Sequence, residues 1–307
     1  MRQETVLDVL NARSYCLPVA IASGFHFTSS SKGFASADVG IADMIDPALH
    51  ATSDTTKLIR AVIHFVAEMF YTIVHMASGQ QNLHVDDDGL ISPEVGAWAE
   101  SKYRLLALYD ELFSTGMKTK WDQRVYIDLY VGAGHSRVQG TNKFLKGSPI
   151  IALTVQNSFD KYIFCEESAD LLSALEARVE RVAPKAKVAY ILGSCDTEIE
   201  KICGAVPKAS ASDKVLSLCL VDPFDFGLKF ETLRKLSSVF IDFVVLLAIG
   251  MDANRNYDHY VDGNSTKIDE ALGNTDWRQR WKAVGVKKSE FRTFLADEFC
   301  QSMESLV

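Results

Sequence analysis

The second half of the chain alternates between short apolar runs and segments with helical spacing. The apolar runs are rich in β-branched and aromatic residues and have the length of strands, and most of the segments between them are about ten residues or longer. The predicted strands are 125–131, 162–165, 188–192, 215–221 and 240–249, and the predicted helices are 148–158, 168–182, 196–205 and 229–237. Strands that alternate with helices of this length form a parallel sheet that is covered by helices on both faces. The pattern therefore predicts an α/β fold.

The first part of the chain has a helical pattern. Helical spacing recurs in three N-terminal segments, at 3–12, 38–49 and 54–78. The acidic run Asp86–Gly89 then interrupts the apolar periodicity, which predicts a solvated turn. Pro93 stands where it can begin a further helix that runs to Phe113. We therefore expect two parts, a helical N-terminal extension over residues 1–88 and an α/β domain over residues 89–307.

The composition bounds the class of protein without identifying its activity. A chain of 307 residues with 48% apolar residues can bury a substantial core. Its 40 acidic and 32 basic side chains give a net charge of -8, so bulk electrostatics provides no attraction to nucleic acid or anionic lipid, although a local basic patch is compatible with this total. The six cysteines contain no Cys-x-x-Cys pair, which predicts free buried thiols rather than a zinc site or a disulfide framework.

Two observations bear on location in the cell. No basic segment followed by an apolar stretch and a small-residue cleavage site opens the sequence. The longest apolar stretch, residues 58–77, carries Arg60, His64, Glu68 and His75 mostly on one helical side, which is typical of an amphipathic helix rather than a membrane span. We therefore expect a cytoplasmic protein without a membrane segment.

Two glycines follow the first predicted strand closely. They belong to a seven-residue run that consists of Asp128, Leu129, Tyr130, Val131, Gly132, Ala133 and Gly134. Glycines there let the backbone turn tightly and approach a ligand, and ligands of parallel sheets bind at the carboxyl ends of the strands. The second strand ends at Glu166, where a carboxylate can accept hydrogen bonds from both hydroxyls of a ribose. Arg137 stands in place of the third glycine of a dinucleotide motif, so these residues favour a nucleoside pocket, with a tight turn beside a helix-capping acid as the structural alternative.

Carboxylates also follow the third and fourth predicted strands. The third strand is followed by Ser194, Cys195 and Asp196. Asp196 either hydrogen-bonds to the amino group of an adenine or caps the helix that follows. The fourth strand ends at Asp222, Pro223 and Phe224, where a proline fixes a carboxylate beside an aromatic ring. Such a carboxylate can accept an N–H of an amino group on a flat ring and orient its lone pair toward a methyl donor, with Phe224 stacked on the ring; a plain strand-end turn is the alternative.

Four further polar residues are candidates for the same edge of the sheet. Arg255 and Asn256 follow the fifth strand and either contact a phosphate or the acceptor or belong to a surface loop. His135 either lies at the mouth of the site or has no role in it. Lys102 either reaches the pocket or pairs with a neighbouring acid. No residue spacing indicates a metal site.

Taken in order, these motifs resemble the three-Cys-motif partner proteins of bacteria, which are predicted members of the methyltransferase-like Rossmann group. The resemblance runs from about Asp88 to Trp281 and includes Trp98 with Lys102, in addition to the glycine run and the three strand-end motifs. It implies a Rossmann-like methyltransferase fold, S-adenosylmethionine as cofactor and a protein partner. The implied cofactor-binding residues are Asp128, Tyr130, Gly132, Ala133, Gly134, Glu166, Ser194, Cys195 and Asp196.

The triad Asp222-Pro-Phe is also similar to the Asp-Pro-Pro-Tyr motif of enzymes that methylate exocyclic amino groups. This similarity implies that Asp222, Pro223 and Phe224 form the catalytic site and that the substrate is a nucleobase, a nucleotide or a nucleic acid. Arg255 and Asn256 are then candidate substrate contacts.

The chain departs from the family pattern at several points. Ala133 replaces the proline of a Gly-Pro-Gly, and the carboxylate of a Gly-Asp-Cys-Asn motif is displaced by two positions to Asp196. The chain stops after a helix-like stretch at 289–303, where relatives continue into a last pair of strands. We therefore expect a sheet that is short at its C-terminal edge or that is completed by a partner.

Two functions follow from these residues. The first is an S-adenosylmethionine-dependent methyltransferase that acts on an amino group of a nucleobase or nucleotide. The second is a non-catalytic nucleotide-binding sensor or partner protein that retains the methyltransferase fold. Binding of the cofactor is common to both, and transfer of a methyl group distinguishes them.

Overall fold

The computed structural model describes residues 19–20, 82–224, 227–246, 256–262, 265–285 and 287–306. Its strands lie at Val19–Ala20 (β1), His84–Val85 (β2), Glu94–Val95 (β3), Gln123–Asp128 (β4), His135–Val138 (β5), Phe144–Lys146 (β6), Lys161–Glu166 (β7), Val188–Leu192 (β8), Val215–Val221 (β9) and Ile241–Val245 (β10). Its helices lie at Ala99–Met117 (α1), Ser148–Leu153 (α2), Ala169–Val182 (α3), Ile199–Ala205 (α4), Phe230–Leu236 (α5), Tyr257–Val261 (α6), Lys267–Leu272 (α7), Trp277–Val284 (α8) and Phe291–Glu304 (α9). A short 3-10 helix at Lys288–Glu290 directly precedes α9.

A six-stranded sheet in the order β1-β10-β9-β4-β7-β8 forms the centre of the fold. The strands from β4 to β10 that belong to it run parallel, and β1 runs antiparallel to its neighbour β10. Helices α2, α3, α4 and α5 each connect one parallel strand to the next, because parallel strands need a crossover connection. The predicted α/β fold with a parallel sheet and helices is confirmed.

The two faces of this sheet bury separate apolar clusters. Side chains alternate along β4, so Val125 and Ile127 belong to one cluster and Tyr126 belongs to the other. Helices α4 and α5 and the C-terminal helices supply apolar residues to the first cluster, whereas α1, α2 and α3 supply the second. Strand β9 is buried along its whole length, as expected for the interior of a parallel sheet.

A second sheet has four strands in the order β2-β6-β5-β3. Two of them, β5 and β6, lie in the chain between the end of β4 and helix α2. Its buried side packs on the first half of α1 through Leu83, Val138, Leu145 and Tyr103. Because this sheet interrupts the chain after the glycine run, the first crossover helix begins only at Ser148, with a proline in its first turn. The predicted helix over 148–158 begins where it was expected and ends earlier than predicted, at Leu153.

The chain around Pro93 is extended, and the prediction that Pro93 begins a helix is wrong. The carbonyl of Pro93 accepts the N–H of Arg137 at 2.9 Å, and the carbonyl of Val95 accepts the N–H of Gln139 at 2.9 Å. These pairings draw the segment into the second sheet as β3, so α1 begins at Ala99.

The edge of the main sheet beside β10 is occupied by the chain itself. Val19 pairs with Val244 and Ala20 with Phe243 in antiparallel register. The residues described after β10 form helices α6 to α9, which agrees with the predicted helix-like stretch at the C-terminus. The expected short edge or completion by a partner is thus replaced by completion through an N-terminal segment of the same chain.

Some predictions concern N-terminal residues outside the described ranges. The helices predicted at 3–12, 38–49 and 54–78 lie outside the described residues. The boundary at residue 88 stays a prediction. Within the described ranges, no helix combines the length and the apolar character that crossing a bilayer requires.

A buried arginine joins three segments behind the glycine run. Arg178 of α3 is 1% exposed and donates to the carbonyl of Ala133 at 2.6 Å. Its guanidinium also donates to both carboxylate oxygens of Asp88, at 2.8 and 2.7 Å, and to the carbonyl of Ile91 at 2.9 Å. A buried guanidinium needs such acceptors, because an uncompensated buried charge is strongly destabilising. Arg178 therefore fixes the glycine run relative to α3 and to residues 88–92.

The acidic run before the second sheet is only partly the solvated turn that its sequence predicts. Asp86 and Asp87 are exposed, whereas Asp88 forms the ion pair with Arg178. The hydrogen bonds from Arg178 lower the pKa of the Asp88 carboxyl to about 2, although partial burial opposes this shift. A bidentate guanidinium can outcompete water for a carboxylate, which is the physical reason for the difference.

Replacement of Arg178 by methionine tests this anchor. We expect Arg178→Met to lower the free energy of unfolding by about 3–5 kcal/mol, because Asp88 and the carbonyl of Ala133 lose their donor inside the protein. Arg181→Met is the matched control: Arg181 is 58% exposed and lies 3.8 Å from the same carboxylate, so we expect a change below about 0.5 kcal/mol. Urea unfolding followed by tryptophan fluorescence measures both, and equal losses would show that the buried contacts are not the source.

The same ion pair predicts a difference in acid stability. The folded-state pKa of Asp88 lies below its ordinary value, so the stability contributed by its ionised form is present above about pH 4 and is lost as the pH falls towards about 2. We expect the unfolding free energy of the natural protein to fall more steeply over this window than that of Arg178→Met. Parallel curves for the two proteins between these pH values would contradict the assignment.

Candidate functional site

The carboxyl ends of β9, β4 and β7 lie side by side and bring the predicted residues to one edge of the sheet. Asp128 ends β4 and is paired in register with Leu220 of β9, two residues before Asp222. Glu166 ends β7 on the other side of β4. The structure thus gathers at one edge three of the four strand ends that the sequence singled out.

The glycine run forms a tight turn with two left-handed residues. Gly132 has φ +65° and Gly134 has φ +85°, conformations that side chains disfavour. A Cβ at Gly134 would stand 2.9 Å from Leu175 Cδ1, so this glycine allows the turn to pack on α3. A Cβ at Gly132 would meet nothing within 4 Å, so space is open on the outer side of the turn. The first glycine therefore leaves an opening on the outer side of the turn, and the second serves packing.

Glu166 closes one side of this opening. Its Oε2 accepts the N–H of Gly132 at 2.8 Å, and its Oε1 accepts the N–H of Ser168 at 2.9 Å. The carboxylate is therefore held directly against the glycine turn, as the sequence interpretation of a shared pocket requires. Each carboxylate oxygen can accept more than one hydrogen bond, so both retain capacity for a donor from a ligand.

Asp128 ends β4 shortly before the glycine turn and is wholly buried. Its Oδ1 accepts the N–H of Tyr130 at 3.2 Å, and the hydroxyl of Ser148 also hydrogen-bonds to this carboxyl. Its Oδ2 is buried and has no hydrogen-bond partner in the part of the chain that the structure describes. Burial raises the pKa of Asp128 to about 7, and the two hydrogen bonds oppose that rise. A buried oxygen of this kind calls for a donor or a cation.

Asp222 is paired with Lys102, which comes from helix α1 outside the sheet. Lys102 Nζ lies 2.5 Å from Asp222 Oδ2 and 4.8 Å from the ring centroids of Trp98 and Tyr103. Burial lowers the pKa of Lys102, but the charges of Asp222, Tyr103 and Asp128 outweigh it and leave the pKa above its ordinary value. Of the two predicted roles for Lys102, the pairing with a neighbouring acid is the one observed.

The residues after Asp222 differ sharply in exposure. Pro223 is buried and fixes the turn, whereas the ring of Phe224 is 93% exposed. Trp98, one helical turn before Lys102, supplies a second aromatic ring at this side of the site. An exposed ring beside a half-buried ion pair leaves an aromatic face available for stacking.

Asp196 is occupied by the protein itself. It accepts the hydroxyl of Thr232 and, at 3.4 Å, the N–H of Lys229 at the start of α5. The helix after the third strand begins at Ile199 rather than at Thr197, so Asp196 does not cap it; it serves the start of α5 instead. The expected local cap thereby differs from the observed contact, and the expected contact with an adenine stays a prediction.

The remaining predicted residues line the same region less directly. Ser194 accepts the N–H of Asp196 at 3.4 Å, and Cys195 is a buried thiol whose pKa burial raises to about 11. The hydroxyl of Tyr130 contacts that thiol, and its ring packs on the apolar cluster of α4 and α5. Asn256 is the exposed residue before α6. Arg255 lies outside the described residues.

His135 follows the glycine turn and is held neutral. Burial lowers its pKa to about 4, and the charge of Arg178 contributes. Its Nδ1 lies 3.5 Å from Asp88 Oδ2, on the side of the turn that faces the buried arginine. This position makes His135 a neighbour of the structural anchor.

The sequence analysis missed several residues that shape the site. Tyr103 and Leu192 carried no motif; Leu192 ends β8 beside Glu166 in register and is 52% exposed. Arg178 did carry a signal, because it follows Leu175 by three positions on the buried side of α3. A charged residue on the apolar side of a helix is a marker of a buried ion pair.

Comparison with known proteins gives limited information. No protein-family model matches the chain, and no curated protein matches its sequence. A Legionella pneumophila protein of the DUF519 family is similar to it with a TM-score of 0.32 and 16% identity; the match covers 44% of this chain and 62% of that protein, less than two thirds of its length. A conserved hypothetical protein of Streptococcus pyogenes is similar with a TM-score of 0.28 and 11% identity, over 42% of this chain and 69% of that one.

A methyltransferase is among the solved structures with weak similarity. The O-methyltransferase segment of StiE, residues 942–1257, gives a TM-score of 0.25 and 11% identity, over 78% of this chain and 86% of the segment. Scores of this size carry no conclusion about function. The chain is an α/β protein with a parallel sheet, and its similarity to this methyltransferase segment is weak.

Proposed function

We propose that this protein is an S-adenosylmethionine-dependent methyltransferase that acts on an amino group of a nucleobase or nucleotide, and that it belongs to the Rossmann-like three-Cys-motif partner proteins. The observation that carries the proposal is the unpartnered Oδ2 of Asp128, which ends β4 shortly before the turn at Gly132, where Glu166 accepts the backbone N–H. A buried carboxylate oxygen, an open glycine turn and a second carboxylate form one continuous binding region. Asp222, with the exposed ring of Phe224, stands at the neighbouring strand end.

The chemistry of these residues fits the parts of the cofactor. The buried Oδ2 of Asp128 suits an ammonium group, and the carboxylate of Glu166 suits the two hydroxyls of a ribose. Gly132 leaves room for a ligand to approach the backbone, and the exposed side chain of Leu192 beside Glu166 offers an apolar surface to a purine. We therefore assign cofactor binding to the glycine turn and to the ends of β4, β7 and β8.

The acceptor side consists of Asp222, Lys102, Trp98 and Phe224. Bound S-adenosylmethionine would supply an electrophilic methyl group. The ion pair with Lys102 fixes the position of the Asp222 carboxylate. In that position the carboxylate accepts an N–H of the acceptor and aligns the nitrogen lone pair. The exposed ring of Phe224 provides the face on which a flat base stacks. Methylation would form an N–CH3 bond at the acceptor as the sulfonium–CH3 bond breaks, with S-adenosylhomocysteine as the leaving group, and the nitrogen would pass one proton to solvent.

One observation favours the second function, a non-catalytic nucleotide sensor or partner protein. Two of the strand-end carboxylates already have a side-chain partner inside the protein. Asp222 Oδ2 contacts Lys102, and Asp196 Oδ1 accepts the hydroxyl of Thr232. A pocket whose acceptor carboxylate stays paired would bind the cofactor without turnover. In that case a protein partner, which the family resemblance implies, would use the bound state.

Loss of the ribose contact tests cofactor binding. We expect micromolar binding of S-adenosylhomocysteine by calorimetry and at least about tenfold weaker binding in Glu166→Ala, because charged hydrogen bonds are among the strong ones. The matched control is Glu167→Ala, since Glu167 is exposed and adjacent; its affinity should stay within about twofold. Urea unfolding of both variants separates a binding effect from loss of the contact to Gly132. No heat with the natural protein would remove the proposed cofactor.

Methyl transfer tests the acceptor side. We expect transfer of a labelled methyl group to a nucleotide, RNA or DNA fraction, reduced on the order of a hundredfold in Asp222→Asn, because this residue aligns the acceptor. Binding of S-adenosylhomocysteine should stay within about twofold in the same variant, since Asp222 lies on the acceptor side. Tight cofactor binding without transfer to any fraction would favour the sensor over the enzyme.

A further inference from the structure

Two wholly buried acids lie on the α1 side of the main sheet, beneath the proposed cofactor site. Asp128 and Tyr126 share one face of β4, and Asp110 comes from α1, which packs on that face. Asp110 and Asp128 are both 0% exposed. Both oxygens of Asp110, the hydroxyl of Tyr126 and Oδ2 of Asp128 lack hydrogen-bond partners in the described residues. Among the described residues, no other buried group of side chains has as many oxygens without a hydrogen-bond partner.

Two such carboxylates cannot both be ionised at low energy. A buried charge without a partner is strongly unfavourable, and a second like charge in the same layer adds repulsion. Burial raises the pKa of Asp110 well above its ordinary value, and the neighbouring Asp128 adds to that shift. Asp110 lies in the middle of α1, away from the opening, and therefore holds its proton throughout.

Asp128 differs from Asp110 because it ends β4 shortly before the glycine turn. The groups that surround the two acids are Lys102, Tyr109, Glu111, Tyr126, Ser148 and Asp222. The one cation among them, Lys102, is already bound to Asp222 at 2.5 Å. No protein cation in this set is therefore free to neutralise Asp128, and a ligand cation that enters at Oδ2 meets no competitor.

We propose that ligand binding at this site is coupled to release of a proton: the empty protein carries a proton on Asp128, and the ammonium group of an amino-acid-bearing nucleoside displaces it. The proposal rests on the proposed function, because it assumes that such a nucleoside is the ligand. The proton leaves the carboxyl for solvent, and the ionised carboxylate then pairs with the ammonium. Asp110 stays neutral in both states and keeps the surrounding layer free of a second charge.

The coupling makes affinity depend on pH in a defined direction. Below the pH at which the empty site titrates, about 7, each binding event must remove one proton. Affinity for an ammonium ligand therefore falls about tenfold for each pH unit below this value and levels off above it. A nucleoside without an ammonium group leaves Asp128 protonated, so its affinity stays level over the same range.

Calorimetry in buffers of different ionisation enthalpy counts the protons. At about pH 6 we expect roughly one proton released per S-adenosylhomocysteine bound and none for 5′-methylthioadenosine, which has the same nucleoside but lacks the amino-acid part. Asp110→Asn should release the same number, because an amide replaces a neutral acid of the same shape. Binding of S-adenosylhomocysteine without proton release, or a changed count in Asp110→Asn, would overturn the proposal.

A measurement without ligand separates this proposal from the proposed function. Carbon-13 NMR of the aspartate carboxyl groups, with Asp128→Asn to assign the signal, reports the titration of Asp128 in the empty protein. We expect its midpoint near 7. A midpoint near 4 for Asp128 overturns the proton coupling even where neither nucleoside binds, whereas failure of both nucleosides with a midpoint near 7 counts against the ligand alone.

Discussion

The guanidinium of Arg178 is the group that positions the glycine turn. Its acceptors come from three parts of the chain: the carbonyl of Ala133, the carboxylate of Asp88 and the carbonyl of Ile91. Desolvation of a guanidinium is costly, so the fold is stable only when all of these acceptors are in place together. The turn therefore cannot shift relative to α3 without leaving a buried charge uncompensated. Arg178 therefore holds the backbone of the turn in place, and Gly132 leaves the outer side of the turn open.

The polar residues of the site divide into those that hold the protein together and those that are left for a ligand. Arg178, Asp196 and Lys102 have their partners within the chain. Oδ2 of Asp128 has none in the described residues. This division places the ligand's positive group at β4 and leaves the acceptor side electrically balanced by the pair of Lys102 and Asp222.

The features predictable from the sequence are those with a local signature. The strands at 188–192 and 215–221 have the predicted bounds, because both are largely apolar runs of strand length. The second is buried along its whole length, as is typical of an interior parallel strand. The contact of Gly132 with Glu166 was also foreseeable, since neighbouring parallel strands end at the same edge. Strands β2 and β3 were not, because elements of two residues have no periodicity to detect.

Contacts between distant parts of the chain also left no local signature. Lys102 and Asp222 are 120 residues apart, and Arg178 and Asp88 are 90 apart, so neither pair produces a spacing that a sequence pattern can show. Asp196 illustrates the same limit, because the start of α5 decides its contacts. The roles of the site residues in binding and catalysis stay predictions, which the binding and methyl-transfer measurements test.

The pairing of Val19 with Val244 has a consequence for the order of folding. These two residues are separated by almost the whole of the parallel sheet, so the ribosome delivers the edge strand long before its partner β10 exists. The early segment must wait while every crossover helix forms, and until it docks, β10 presents an open row of backbone groups that could pair with another chain. Closure of that edge is therefore a late step, and the interval before it is when the protein is most exposed to misassembly during synthesis.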